Sequence, residues 1–330
     1  MNEKYDVVVV GGGAAGLSGA LTLARARRSV LVVDAGAPRN APAAHMHNYL
    51  GREGDNPAAL LADGRDEAAG YGAELVTGAV TTADATDDGF RVELADGRRV
   101  TARRLLVTTG LVDELPDVPG LEQRWGREVL HCPYCHGWEV RDEKIGVLST
   151  GPLAVHQALM WRQWSAEVTL FLHDGPEPTA DEAEQLAARG IAVVAEKVTG
   201  LEVSEDRLTG VQLATGERVD CRALVVSPPF TARADFLAGL GLEPAAMEMG
   251  GHVIGTHLPV DAMGATTVPG VWAAGNVTDP RAQVIGAAAA GVMAGAALNA
   301  DLIAEDTRLA VAARRHAGSP RGQQDSAVRA

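Results

Sequence analysis

Residues 5–34 read YDVVVVGGGAAGLSGALTLARARRSVLVVD, and this stretch limits the possible folds more than any other. Tyr5–Val10 is an apolar run of strand length, Gly11–Gly16 a turn, and Ala14–Arg27 has helical composition. Ser29–Val33 reads as a second strand and ends at Asp34. The glycines fall at Gly11, Gly13 and Gly16, and the acid follows eighteen residues after the last of them. Gly11 permits a tight turn, Gly13 lets a pyrophosphate approach the backbone, and Gly16 lets helix and strand pack closely. The helix start offers unpaired N–H groups and a positive dipole end to phosphates. Asp34 suits a ribose 2′-hydroxyl and repels a 2′-phosphate. A lone Gly-rich turn is a weak signal; strand, turn, helix, strand and acid in that order are specific.

The pattern returns later in weaker form. Residues 103–110 (RRLLVTTG) form a short strand that runs into a small-residue turn, and the prolines and glycine of 114–120 suggest a linker. Lys144–Leu148, then Ser149-Thr150-Gly151-Pro152-Leu153-Ala154 and a helical segment, look like a second dinucleotide-fold start, with Val168–Leu172 as its next strand. Hairpin-like segments near 198–220 and the strand Cys221–Ser227 complete that unit. Gly270–Ala274 is a last strand, followed by an Ala/Gly-rich helix from about Gln283 to Ala304.

The net charge of −14, with no basic stripe to offset it, argues against nucleic acid and anionic membrane as partners. The small-residue run Gly286–Ala297 is too short to cross a bilayer. The polar tail from about 306, which holds the one mildly basic run, reads as disordered. The first strand begins within a few residues of Met1 with no leader before it, and a cytoplasmic location is expected. Three cysteines, two of them in one CxxC, make one functional dithiol and no disulfide framework. Cys221 reads as a packed core thiol.

Residues 131–138 read HCPYCHGW. The string allows a thiol redox pair, a haem attachment site, a glutaredoxin-type centre or a zinc site. Haem attachment requires an exported chain, and a glutaredoxin centre requires a surrounding thioredoxin-like unit. His131 and His136 adjoin the cysteines too closely to close a zinc tetrahedron readily, so no metal is expected. Cys132 and Cys135 at a helix start share a face, and the N–H groups there stabilise a thiolate. His136 is a candidate general base beside them. The H-x-H pair His45 and His47 is a candidate second contribution to the site, with a polar loop as the competing reading.

The order of these motifs resembles the thioredoxin-reductase-like FAD flavoproteins. The carriers are GGGAAG at 11–16, LLVTTG at 105–110, CPYC at 132–135 and VPGVWAAGNVTD at 268–279. The resemblance implies an α/β fold of two Rossmann-like, three-layer ββα domains. An FAD domain would comprise 1–114 and 243–330, interrupted by a nucleotide-binding-like domain at 115–242 that carries the CxxC. It implies FAD contacts at Gly11, Gly13, Ala14, Ala15, Gly16, Asp34, Asn48, Gly110, Gly275, Asn276 and Gln283, and a homodimer. Asn276 stands where the family usually has an Asp on the ribitol, and an amide still bonds a hydroxyl. Within the pair, Cys135 would face the flavin and Cys132 the substrate.

Three departures redirect the function. The second Gly-rich turn has Ser149 and Thr150 in place of its first two glycines. The strand after it ends in LFLHDGPEPT, with no Arg or Lys between Arg162 and Arg189 to hold a 2′-phosphate. The residue after the second cysteine is His136 where the reductases have an acid. In these respects the chain resembles the gliotoxin- and holomycin-type dithiol oxidases, which close a disulfide in a small-molecule dithiol and pass the electrons to O2, giving H2O2. The competing readings are an NAD(P)H- or ferredoxin-driven thioredoxin-type reductase and a non-catalytic flavin or thiol redox sensor.

Overall fold

The structure, a computed structural model, describes residues 4–318. Its first body is built on a seven-stranded sheet. Glu74–Thr77, Val30–Asp34, Lys4–Val10 and Arg99–Val107 run parallel in that order, with Val271–Ala273 parallel to the far end of Arg99–Val107. The hairpin of Val80–Thr86 and Gly89–Leu94 continues the sheet antiparallel from the near end of Arg99–Val107. Val7, Val9, Val30 and Val32 face one core and Val8, Val10, Leu31 and Val33 the other. This double burial explains why those strands read as apolar runs without alternation.

Helices Ala14–Arg25 and Val284–Gly318 cover one face. They approach so closely that a Cβ on Gly291 would meet the Ala15 carbonyl oxygen at 2.0 Å, which accounts for the small residues along the second helix. Val284–His316 is long and apolar enough to cross a bilayer by length and composition alone. Here that helix packs on the sheet layer. Its Asp301, Glu305 and Asp306 pair with Arg104, Arg103 and Arg28. These ion pairs carry the helix past Ala304, and the tail expected to be disordered from 306 is helical through Gly318. Its remainder, 319–330, lies outside the described residues.

The second body holds a five-stranded parallel sheet in the order Ala192–Val194, Val168–Phe171, Ile145–Leu148, Ala223–Val226, Val129–Leu130. An antiparallel three-stranded sheet over 198–220 packs beneath it as the third layer. Two strands join the bodies: Leu111–Asp113 leaves the first, and Phe230–Ala232 returns antiparallel beside it. Ala232, Ala234, Leu237 and Leu242 then enter the first body's core. The return therefore lies near Phe230, earlier than the boundary of 242 read from the sequence. The two-domain α/β architecture is as expected.

Candidate functional site

A cavity of about 940 Å3 runs from the first Gly-rich turn to the CxxC. It lies at the upper end of the range for small-molecule and cofactor sites, about 300–1,000 Å3. The turn that forms one end is specified residue by residue. Gly11 has φ +107°, and a Cβ there would lie 2.4 Å from the Thr108 carbonyl oxygen. At Gly16 a Cβ would meet the Gly11 carbonyl oxygen at 1.9 Å, so this glycine serves the close packing of helix on turn. At Gly13 a Cβ would meet nothing within 4 Å; its backbone faces open cavity at the start of helix Ala14–Arg25. Asp34, at the end of its strand, accepts from the Gly12 N–H at 3.1 Å and lines the same space. Backbone cradle, helix start and terminal carboxylate fit the pyrophosphate and ribose of a dinucleotide.

Gly11, Gly13, Ala14, Ala15, Asp34, Gly110, Gly275, Asn276 and Gln283 all line the cavity. Asn276 is there for a reason the sequence did not reveal. Its amide nitrogen donates to the carbonyls of Asp279, Pro280 and Ala282, an arrangement that needs a donor and would repel a carboxylate. Asn48, expected as a flavin contact, is not in the wall. Its amide donates to the Tyr134 carbonyl at 2.5 Å, on the helix of the CxxC.

Cys132 and Cys135 are both free thiols in the cavity wall. Cys132 precedes the one-turn helix Pro133–His136, with Pro133 at its first position. The Cys135 thiol donates to the Cys132 sulfur and, against the cost of burial, pulls its pKa down to about 7. The backbone N–H groups of Cys135 and Tyr134 and the side chain of Gln283 add to the effect. The Cys135 thiol is pushed well above its usual range by that donation and by burial, while the Arg39 charge opposes the rise. The reduced pair thus holds one proton, resting on Cys135, and one thiolate at Cys132.

His136 is also in the wall, and burial holds its pKa below the usual value, with His47 and His131 adding to the effect and Glu139 opposing it. It is a neutral imidazole at pH 7, able to accept a proton. His45 and His47 line the cavity too; His45 Nδ1 lies 2.9 Å from the Gly54 carbonyl, and His47 lies between Glu53 and Glu139. His131 lines the cavity as well. Its Nδ1 lies 3.2 Å from the Val226 carbonyl and its ring packs edge-on to Phe230. Among the described residues no three His, Cys, Asp or Glu side chains gather as a metal site requires. Cys221 is buried, and burial pushes its thiol up to about 12.

Sequence reasoning missed two residues of the cavity wall, Arg39 and Tyr134. Arg39 forms a two-bond fork with Asp113 and lies over the Phe230 ring, a charged group beside the dithiol. Tyr134 and Trp138 are 61% and 65% exposed on either side of Cys135. The Tyr134 ring is braced edge-on by Trp164, and Arg141 lies over Trp138. Arg39 falls outside any motif, whereas Tyr134 lies within the CPYC string itself.

The second Gly-rich turn carries side chains where the first has glycine, and its residues 150–154 line the same large cavity. Thr150 Oγ1 donates to the Ser227 carbonyl at 2.7 Å, and Ser149 lies so close to Gly175 that a Cβ there would be 1.9 Å from the serine oxygen. The recess beside it measures about 20 Å3 and is walled by Glu177 and Glu182. That recess has room for a water, which needs about 10–15 Å3. Lys197, the nearby cation, is held by Asp174 at 2.6 Å.

Comparison with known proteins agrees with this geometry. The family model for pyridine nucleotide-disulphide oxidoreductases matches residues 5–309. Thioredoxin reductase sirT of Leptosphaeria maculans is 32% identical over 92% of this chain and 95% of its own length. The crystal structure of HlmI superposes with a TM-score of 0.90 at 47% identity, covering 97% of this chain and 99% of that one. An oxidoreductase from Agrobacterium tumefaciens follows at a TM-score of 0.84 and 38% identity, covering 91% and 99%. The chain belongs to the pyridine nucleotide-disulphide oxidoreductase family, as a thioredoxin-reductase-like, flavin-dependent thiol:disulfide oxidoreductase.

Proposed function

We propose that the protein is an FAD-dependent dithiol oxidase that closes a disulfide within a small-molecule dithiol and uses O2 as electron acceptor. The observation that carries this reading is the contrast between the two Gly-rich turns. The first offers a glycine backbone cradle and Asp34 to a dinucleotide in the cavity that reaches the CxxC. The second, whose residues 150–154 also line that cavity, carries side chains at its first two glycine positions, and its nearby cation Lys197 is tied to Asp174. An enzyme whose electrons come from its thiol substrate has no use for a second nucleotide. The sequence resemblance to gliotoxin- and holomycin-type oxidases and the likeness to HlmI point the same way.

Gly11, Gly13, Asp34, Gly275 and Gln283 would hold the cofactor. Bound flavin would supply a two-electron sink for the reduced CxxC, with O2 as the final acceptor. The chain's own residues perform the exchange. A substrate thiolate attacks the Cys132 sulfur of the oxidised pair; the new S–S bond forms as Cys132–Cys135 breaks, and Cys135 leaves as a thiolate facing the Arg39 charge. The second substrate thiol loses its proton to neutral His136 and attacks the first substrate sulfur. The cyclic disulfide forms and Cys132 departs as a thiolate, held by the N–H groups of Tyr134 and Cys135 and by Gln283. Overall, two S–H bonds break and one S–S bond forms, and two electrons and two protons convert O2 to H2O2.

The names of curated relatives, thioredoxin reductases among them, favour a second reading, a disulfide reductase driven by NAD(P)H or ferredoxin. An oxygen electrode separates the two. With a small dithiol and no pyridine nucleotide, the oxidase consumes O2 and accumulates H2O2, and Cys132→Ser or Cys135→Ser abolishes both. Absence of oxygen uptake with any dithiol would remove the oxidase reading.

A further inference from the structure

Between strand Val30–Asp34 and helix Pro57–Gly70 the first body sends out a long loop that reaches the insert at two places. Pro42 packs on Gly126, where a Cβ would lie 2.8 Å from the proline. Further along, Asn48 Nδ2 donates to the Tyr134 carbonyl at 2.5 Å, and His47 Nε2 lies 3.4 Å from Glu139 Oε1. The tip is stiffened for this purpose. The Glu53 carboxylate bonds His47 Nδ1 at 2.7 Å and accepts from the Asn48 N–H at 2.8 Å, so one side chain fixes two successive residues. Asn48 takes φ +62°, a left-handed conformation that Asn tolerates better than most residues. Both targets, Tyr134 and Glu139, lie on or just after the helix that bears the dithiol.

We propose that Asn48 and His47 are positioning residues, an interdomain clasp that holds the Cys132–Cys135 helix of the insert in the wall of the flavin cavity. Among the described residues the chain crosses between the two bodies through the short strands Leu111–Asp113 and Phe230–Ala232, a connection that permits rotation. The clasp selects the orientation in which the dithiol faces the cavity. The proposal rests on the reading of the CxxC as flavin-coupled.

The test compares flavin-loaded wild type with Asn48→Gly, Glu139→Gln and the double variant. Glycine keeps the left-handed backbone while removing the amide, and Glu139→Gln acts from the insert side without touching the loop. X-ray scattering in solution reads the orientation of the bodies, flavin emission reads the proximity of the dithiol, and anaerobic mixing with dithiothreitol reads the rate of flavin reduction. The double variant is expected to scatter as a more extended particle with brighter flavin emission, and to be reduced about tenfold more slowly at an unchanged unfolding midpoint. Scattering, emission and rate equal to wild type in the double variant would overturn the clasp, as would a wild type already as extended as the variant. If dithiothreitol fails to reduce even the wild type, the functional reading falls while the scattering comparison still decides the clasp.

Discussion

Arg39 grips Asp113 through two parallel bonds, Nη2 to Oδ1 at 2.6 Å and Nε to Oδ2 at 2.8 Å, where the chain leaves the first body for the insert. The Asp113 side chain is only 7% exposed, so removing its partner leaves a buried carboxylate uncompensated. Arg39→Met is expected to destabilise the fold by about 3 kcal/mol. Arg39→Lys retains the charge but loses the fork and should fall between the two. Denaturant unfolding of the three proteins at pH 7 measures this, and an Arg39→Met midpoint equal to wild type would show that the fork contributes nothing.

The dithiol makes a prediction with a definite sign. A thiolate alkylates and a thiol does not, so the rate at Cys132 of the reduced protein rises with pH through its pKa and then levels off. The midpoint is expected near about 7, below the about 8.5 of a free cysteine. Gln283→Leu removes one donor and moves the midpoint up. Cys221, pushed to about 12, stays unmodified throughout. Iodoacetamide kinetics with mass-spectrometric site assignment would show all three, and a Cys132 midpoint at or above the free value would contradict the account.

The first Gly-rich turn separates cofactor binding from folding. Gly13→Val adds atoms only to open cavity, so the protein should fold with the unfolding midpoint of its own flavin-free form and purify colourless. Gly16→Ala forces a Cβ to within 1.9 Å of the Gly11 carbonyl oxygen, an overpacking that costs about 1–3 kcal/mol or more. Flavin absorbance and thermal melts of both variants distinguish the two effects.

Asn276→Asp brings this position to the residue more usual in the family, yet it should do harm. The carboxylate would replace an amide donor facing three carbonyl oxygens. A loss of about 1–3 kcal/mol is expected, read as a lower melting midpoint, with the deficit shrinking as the carboxyl is protonated at acid pH.

Much of this was legible because it is local. Gly11, Gly13, Gly16 and Asp34 lie within one βαβ unit, so chain order alone places them around one turn. Ser149 and Thr150 announce an altered second turn for the same reason. What stayed hidden depends on contacts between distant segments. Phe230–Ala232 is three residues long and becomes a strand only by pairing with Leu111–Asp113, so the return of the chain was read too late. Asn48 lies in the expected loop but bonds to the CxxC helix, eighty-six residues away. The helix beyond Ala304 looked like a polar tail because its acids are paid for by Arg28, Arg103 and Arg104 from other elements.

The central claim is that electrons enter from a dithiol and not from a pyridine nucleotide. Anaerobic stopped-flow mixing of the flavin-loaded protein with NADPH or NADH, and separately with a small dithiol, measures it most directly. The account predicts that the visible absorbance of the oxidised flavin bleaches with the dithiol, that this bleaching is lost in Cys135→Ser, and that the absorbance persists with either nucleotide. Rapid bleaching by NADPH or NADH would contradict it.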